Sequence, residues 1–139
     1  MIGRGRNRVF TAGDTTLHAE IMALQDAAFH LIDSKTKQYR PWGHILYTTM
    51  EPCLLCTGAL IMSHIKAVVW ALTDPANGAL NVLQAMPWPA SAHHLSGKIA
   101  RIDMTPEPYP DLAARQIMLM KQWNASRGRP GIVFSQDVW

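Results

Sequence analysis

The residues best suited to chemistry form two short groups that are well separated along the chain. His18 and Glu20 make a His-x-Glu pair, and Pro52 is followed by Cys53 and Cys56 with two residues between the cysteines. Imidazole nitrogen and thiolate sulfur are preferred zinc ligands, and these are the chain's only two cysteines, so neither remains for a disulfide framework. The pattern predicts one zinc site with the ligands His18, Cys53 and Cys56, and one unligated carboxylate, Glu20.

Helical spacing explains how both cysteines could reach the same ion. Side chains at i and i+3 lie on one helical face, and Pro52 suits the first helical position because the N–H it lacks would have no partner there. Cys53 and Cys56 would then lie in or just after the first turn, where unpaired N–H groups favour thiolate over thiol. His18 is expected to open another helix with Asp14 as its cap, so two helix starts would meet at one metal ion.

Three protein ligands leave the fourth tetrahedral position open, which distinguishes a catalytic zinc site from a closed structural one. Zinc lowers the pKa of a water bound there toward roughly 7. Glu20, two residues after His18, is expected to lie beside that water and to shuttle protons.

A lone Cys-x-x-Cys motif has two simpler interpretations, a redox pair or half of a structural zinc knuckle. The upstream His-x-Glu pair argues against both, and the remaining alternative is a relative that kept its zinc and lost its activity. The other histidines that could compete as ligands have no partner spacing to a cysteine, and we interpret them as surface or core residues: His30, His44, His93 and His94.

About half of the chain resembles a known family, in the stretches IGRGRNR (2–8), DTTLHAEIMAL (14–24), LYTTMEPCLLCTGALIMSHI (46–65) and VVWALTDPANGA (68–79). The chain is similar to the cytidine deaminase-like superfamily, in the branch of bacterial tRNA adenosine deaminases, guanine deaminases and fungal-type cytosine deaminases. This resemblance implies a zinc-dependent hydrolytic deaminase with an α/β fold, a three-layer α/β/α sandwich around a mixed sheet. These motifs are specific for the reaction class and only weakly specific for the substrate.

Carried over position by position, the resemblance implies the same three zinc ligands and Glu20 as the proton shuttle. Asn7 matches an asparagine that contacts the base or the ribose, with a simple turn residue as the alternative. The resemblance also implies hydrogen bonds from the backbone N–H groups of Ala19 and Cys53 to the substrate carbonyl or to the developing tetrahedral centre.

Composition is typical of a globular enzyme. The 139 residues are 48% hydrophobic and 17% charged, which fits one domain spanning 1–139. No apolar run reaches the roughly 18 residues that span a bilayer and no signal-peptide pattern opens the chain, so we expect a cytoplasmic protein without a membrane partner. A net charge of +3 permits nucleic-acid contact without requiring it.

Hydrophobic periodicity predicts alternating elements, which favours a layered α/β sandwich with parallel neighbouring strands. Strands are predicted at 2–8, 44–49, 66–72 and 98–104, and helices at 16–33, 52–64 and 111–126. The connection 34–43 is expected to be polar and irregular, 74–78 a turn, 81–95 irregular or briefly helical, and 104–110 a linker because of its prolines.

The chain departs from the resembling enzymes at its start, where their N-terminal helix and a central strand have no counterpart. The sheet would then lack an inner strand. Either the sequence is a fragment or a mis-started reading frame, or the strand-like segment 131–138 fills the gap or pairs elsewhere.

Three further departures bear on the substrate. Glu20 and Pro52 are 32 positions apart, a few more than in bacterial tRNA adenosine deaminases. His64 stands where those enzymes usually carry arginine, and 84–95 does not resemble their RNA-facing region. These differences favour a free nucleobase or nucleoside, with tRNA adenosine deamination or a non-catalytic zinc-stabilised accessory subunit as alternatives. We also expect a homodimer.

Overall fold

Alternating helices and strands make up the protein in a computed structural model that describes residues 1–40 and 43–128. The helices are α1 (Val9–Ala12), α2 (Ala19–Asp26), α3 (Ala28–Leu31), α4 (Leu54–Met62), α5 (Leu80–Ala85), α6 (His93–Ile99) and α7 (Pro110–Ser126), with a 3-10 turn at Ala90–Ala92. The strands are β1 (Ile32–Asp33), β2 (Gln38–Tyr39), β3 (Ile45–Met50), β4 (Ala67–Leu72) and β5 (Asp103–Pro106).

The central sheet has the described order β3, β4, β5, and both pairs of neighbours run parallel. Parallel neighbours need crossover connections: α4 links β3 to β4, and α5 and α6 lie between β4 and β5. The two-residue strands β1 and β2 form a separate antiparallel pair. The predicted α/β class with parallel neighbours is confirmed.

Helices cover both faces of this sheet. Successive residues of β4 point to opposite faces, so alternate residues contact different helices. Val68 and Trp70 are fully buried in the main hydrophobic core, together with Leu60 of α4. Val69 and Ala71 instead face α7 across an apolar groove of about 430 Å³. The layers are therefore helices, sheet and helix, as the resemblance implied.

Several predicted elements appear within one or two residues of their expected bounds. The strands predicted at 44–49 and 66–72 are β3 and β4, and the helix predicted at 111–126 is α7. The predicted turn at 74–78 is also present, since the Asp74 carboxylate accepts hydrogen bonds from the backbone N–H groups of Ala76 and Asn77, each at 3.0 Å.

The strand predicted at 2–8 is wrong. This segment has no regular structure and lies along α2, where the backbone N–H of Arg4 donates to the Asp26 carboxylate at 2.8 Å. A Cβ on Gly5 would collide with the Ala19 carbonyl, and one on Gly3 would lie 2.7 Å from the Ala23 carbonyl oxygen. The glycines therefore permit close packing against a helix, which an alternating pattern cannot reveal.

The helix predicted at 16–33 is shorter and interrupted. It begins only at Ala19, stops at Asp26, and resumes briefly as α3 before Ile32 turns extended and starts β1. The Asp33 carboxylate then accepts hydrogen bonds from the backbone of Lys35 and Thr36, which forms the turn between β1 and β2. The predicted irregular connection therefore contains a short hairpin.

The last strand was also predicted in the wrong place. Residues 98 and 99 end α6, and β5 begins at Asp103. Pro106, which we expected in a linker, ends β5 opposite Trp70 of β4. Proline is tolerated in a strand with only one described neighbour, because its missing N–H leaves no required ladder bond unmade. The region 81–95 contains α5, the 3-10 turn and the start of α6.

The segment 131–138 lies outside the described residues. Among the helices of residues 1–40 and 43–128, none is both long and apolar enough to cross a membrane.

Candidate metal centre

His18 occupies the residue just before α2, with extended backbone angles of φ −69° and ψ 156°. The turn before it is held by Asp14, whose carboxylate accepts from both the backbone N–H and the hydroxyl of Thr16 at 2.8 and 2.7 Å. Asp14 therefore organises this turn. It does not cap α2, so the prediction of Asp14 as the helix cap is wrong. The His18 backbone N–H donates to the Thr16 carbonyl at 2.8 Å, which fixes the start of the helix.

Cys53 holds the equivalent position at the start of α4, also with an extended backbone. Pro52 lies before the helix and not in its first turn, because the helix begins only at Leu54. The Cys53 carbonyl accepts from the Thr57 N–H at 2.8 Å, and Cys56 lies buried in the first turn. The predicted meeting of two helix starts is confirmed, with the start of α4 displaced by two residues.

The three predicted ligands come together. Nδ1 of His18 lies 3.5 Å from the sulfurs of both Cys53 and Cys56, and all three ligand atoms lie within 4.8 Å of one another. Zinc bonds of about 2.3 Å to sulfur and 2.0 Å to nitrogen, at a tetrahedral angle, require a nitrogen–sulfur separation of about 3.5 Å. The donor set and its spacing therefore fit a tetrahedral zinc ion with one position left for a further ligand.

The two thiols have opposite electrostatic environments. The pKa of Cys53 is lowered to about 5, first by a hydrogen bond with Cys56 and further by the nearby His18. The same hydrogen bond raises the pKa of Cys56, and burial and the Glu20 carboxylate raise it further. One thiolate is thus favoured at neutral pH, and binding of a cation displaces the second proton.

Glu20 lies in the first turn of α2 and is buried, with 8% of its surface exposed. Its Oε2 accepts from the Cys56 thiol at 3.3 Å, and its Oε1 accepts from the Thr48 hydroxyl at 2.7 Å. The carboxylate therefore lies beside the ligand sulfurs, held at its other oxygen by a side chain from β3. Proton transfer by Glu20 stays a prediction.

Thr48 was missed by the sequence reasoning. It lies on β3 at a half-buried position, between the exposed residues Tyr47 and Thr49. One signal in the sequence could have pointed to Thr48, namely a hydroxyl at an inward-facing position of a strand with alternating burial. A buried polar group of this kind needs a partner, but alternation cannot say that the partner is Glu20.

Glu51 was missed as well. It follows β3 directly and is only 5% exposed. Burial raises the pKa of this carboxyl. Hydrogen bonds from Asn81 and from the Asp74 backbone lower it in part. Burial of a carboxyl without partners would be unfavourable. Glu51, two residues before the ligand Cys53, is therefore stabilised by these hydrogen bonds.

The two predicted substrate contacts lie near the start of α2 or in the segment that leads to it. Ala19 is the first residue of α2. Asn7 accepts a 3.0 Å hydrogen bond from the Val9 N–H, the contact of a turn residue, and also lines a cavity of about 290 Å³ with Phe10 and Trp123. Substrate contact by Asn7 and Ala19 stays a prediction.

The other histidines do not join the site. Within residues 1–40 and 43–128, His18, Cys53 and Cys56 are the only group of three or more potential ligands gathered closely enough to hold one ion. His30, His93 and His94 are exposed and His44 is half-buried, in agreement with their interpretation as surface or core residues.

Comparison with known proteins agrees with this geometry. The family model described as the cytidine and deoxycytidylate deaminase zinc-binding region matches residues 1–72. A tRNA-specific adenosine deaminase of Haemophilus influenzae is 39% identical over 80 residues, which cover 58% of this chain and 43% of that relative. The chain thus spans less than half the length of this relative.

Two solved structures share the fold. A guanine deaminase from Nitrosomonas europaea is 27% identical with a TM-score of 0.58, over 87% of this chain and 64% of that chain. A structure from a study of tRNA:A34 deaminases is 27% identical with a TM-score of 0.54, over 76% of this chain and 72% of that chain. With the ligand geometry and the match over residues 1–72, the chain belongs to the zinc-binding cytidine and deoxycytidylate deaminase family.

Proposed function

We propose that this protein is a hydrolytic deaminase whose substrate is an adenine base in tRNA, which it converts to hypoxanthine with release of ammonia. The observation that carries the proposal is the Glu20 carboxylate, which lies 3.3 Å from the Cys56 sulfur inside a three-ligand zinc site. A purely structural zinc site has no use for a carboxylate in this place, which argues against a non-catalytic accessory subunit.

When bound by His18, Cys53 and Cys56, zinc would supply an acidified water and a local positive charge. Glu20 accepts one proton from the attacking water and transfers it to the adjacent ring nitrogen. Its carboxylate then carries the second water proton to the exocyclic amine. The new carbon–oxygen bond forms, the carbon–nitrogen bond breaks and ammonia leaves, so both water protons are accounted for. As hydrogen-bond donors to the substrate we propose the backbone N–H groups of Ala19, the first residue of α2, and of Cys53, the residue before α4.

Support for tRNA comes from relatives and from charge. The Haemophilus relative is named a tRNA-specific adenosine deaminase, and so are relatives from Buchnera aphidicola and Bacillus subtilis. The net charge of +3 is compatible with a polyanionic substrate. These comparisons outweigh the three sequence departures that favoured a free base.

A free purine is the second candidate. It is favoured by the guanine deaminase neighbour, which aligns over a larger share of this chain than the tRNA:A34 deaminase structure does, 87% against 76%. In that case the segment 84–95, which contains the end of α5, the 3-10 turn and the start of α6, would have no RNA to contact.

The deciding experiment measures ammonia release from a panel of tRNAs, nucleosides and free bases by the zinc-loaded protein. Inosine in digested tRNA, without ammonia from guanine, adenosine or cytosine, is the expected result. Ammonia from a free base alone would replace the first candidate by the second. No release from any of them, with the zinc site loaded, would favour an accessory subunit.

We also propose a cytoplasmic homodimer. Reducing conditions in the cytoplasm keep the ligand thiols available for metal.

The proposed dimer rests on helix α4, which presents apolar side chains to solvent at Leu54, Leu55 and Met62. These are 65%, 44% and 54% exposed, and an exposed apolar patch marks an association surface. Light scattering should give the mass of two chains, and Met62→Glu should shift it toward one. A wild-type mass of one chain at high protein concentration would refute the dimer.

A further inference from the structure

Glu51 is a buried carboxylate that is neither one of the three ligands nor the proposed proton carrier. It joins the end of β3 to the segment Pro52–Cys53, which delivers one of the ligands. Its backbone N–H donates to the Leu72 carbonyl at 2.8 Å, so its main chain is tied to the end of β4.

The Glu51 side chain reaches the loop between β4 and α5. Its Oε2 accepts from the Asp74 backbone N–H at 3.4 Å, at the start of that loop. Its Oε1 accepts from the side-chain amide of Asn81 at 3.2 Å, in the first turn of α5. One carboxylate therefore holds both ends of the loop.

The same loop packs against the ligand segment. The Ala79 N–H donates to the Pro52 carbonyl at 3.0 Å, and Cys53 pairs with Gly78 in an isolated antiparallel bridge. A Cβ at Gly78 would collide with the Glu51 carboxylate, so this position requires glycine for close approach. Glu51, the loop and Cys53 thus form one continuous set of contacts.

We propose that Glu51 is a positioning residue for the metal centre, which holds the β4–α5 loop against Pro52–Cys53 and thereby sets the position of the Cys53 sulfur and backbone N–H. Ligands that are oriented by hydrogen-bonded partners bind metal more tightly than ligands that must be ordered on binding. The assignment concerns the zinc site itself, and so it holds whether the substrate is tRNA or a free base.

The test measures zinc affinity by competition with a coloured chelator, and ligand geometry from the absorption spectrum of the cobalt-substituted protein. Glu51→Ala should lower zinc affinity by about 10- to 100-fold, the range for loss of an outer-shell partner, and alter the cobalt–thiolate bands. Glu51→Gln should restore most of the affinity, since its amide oxygen can accept from Asp74 and its NH2 group can donate to a rotated Asn81 amide.

Glu107→Ala is the matched control. Its carboxylate accepts from the Thr73 N–H at 2.8 Å, beside the same loop, but it belongs to an exposed residue in the connection between β5 and α7. Zinc affinity should be unchanged in this variant. An equal loss in Glu107→Ala, wild-type affinity in Glu51→Ala, or a loss in Glu51→Gln as large as in Glu51→Ala would each overturn the proposal.

If Glu51→Ala fails to fold, Asn81→Ala decides the question. It removes one donor to the carboxylate and should weaken zinc binding several-fold with the same spectral change. Wild-type affinity and spectrum in Asn81→Ala would then overturn the role of Glu51.

Discussion

The hydroxyl of Thr48 donates a 2.7 Å hydrogen bond to Oε1 of Glu20, whose other oxygen accepts from the Cys56 thiol. This bond joins β3 to α2 across 28 positions of the chain. It leaves one carboxylate oxygen directed at the ligand sulfurs and restricts rotation of the carboxylate. The orientation of the proposed proton shuttle thus depends on a residue from a different element.

Thr48→Val should reduce turnover by about 10- to 100-fold, the usual effect of losing an outer-shell partner, while zinc content stays at one per chain. Valine keeps the shape and removes the donor. Steady-state kinetics and metal analysis test this together. Thr49→Val, at the neighbouring exposed position of the same strand, is the control and should be nearly silent. Equal rates in Thr48→Val and wild type would show that the bond does not matter for turnover.

Cys53→Ala should lose the metal and part of the fold, because zinc binding contributes to folding free energy. Metal analysis should find about one zinc in the wild type and almost none in the variant. The melting temperature of the wild-type protein should also fall when a chelator removes the metal, since a ligand of the native state stabilises that state by mass action. His93→Ala, at an exposed histidine outside the site, should keep its zinc. Full occupancy in Cys53→Ala would discard the ligand assignment.

Glu20→Gln should retain zinc and fold, because the amide oxygen can still accept from Thr48. Turnover should fall by at least about 100-fold, since the amide cannot carry protons and general acid–base catalysis contributes that much or more. The comparison uses the best substrate of the panel and the same zinc loading. A variant that deaminates at a comparable rate would rule out Glu20 as the proton carrier.

Gly5→Ala should destabilise the protein by roughly 1–3 kcal/mol, the usual cost of forcing extra volume into a packed contact. The added Cβ would collide with the Ala19 carbonyl and push the N-terminal segment away from α2. Gly97→Ala is the control, because a Cβ there would meet no atom within 4 Å apart from its chain neighbours and the backbone of α6 itself. That change should be neutral or slightly stabilising in urea unfolding. An unchanged stability in Gly5→Ala would mean that the close contact is not maintained in solution.

Elements with strong internal patterns were predictable, and those that depend on distant contacts were not. The strands β3 and β4 and the helix α7 follow from runs of apolar residues with a clear period. The segment 2–8 looks equally strand-like, but it packs its glycines against α2. Strand β5 contains a proline, which local rules assign to a linker, and only its pairing with β4 makes it a strand.

The ligand set was determined by the sequence, because metal chemistry depends on residue type and on spacings of two or three positions within a helix start. His18, Glu20, Cys53 and Cys56 could be read in this way, and the structure brings them together. Tertiary structure alone decided which groups orient them. Thr48 lies 28 positions from Glu20, and Glu51 lies 30 positions from Asn81, so no local pattern connects either pair. Such partners are set by how the strands and helices pack, since a hydrogen bond between distant residues forms only once the chain between them has folded.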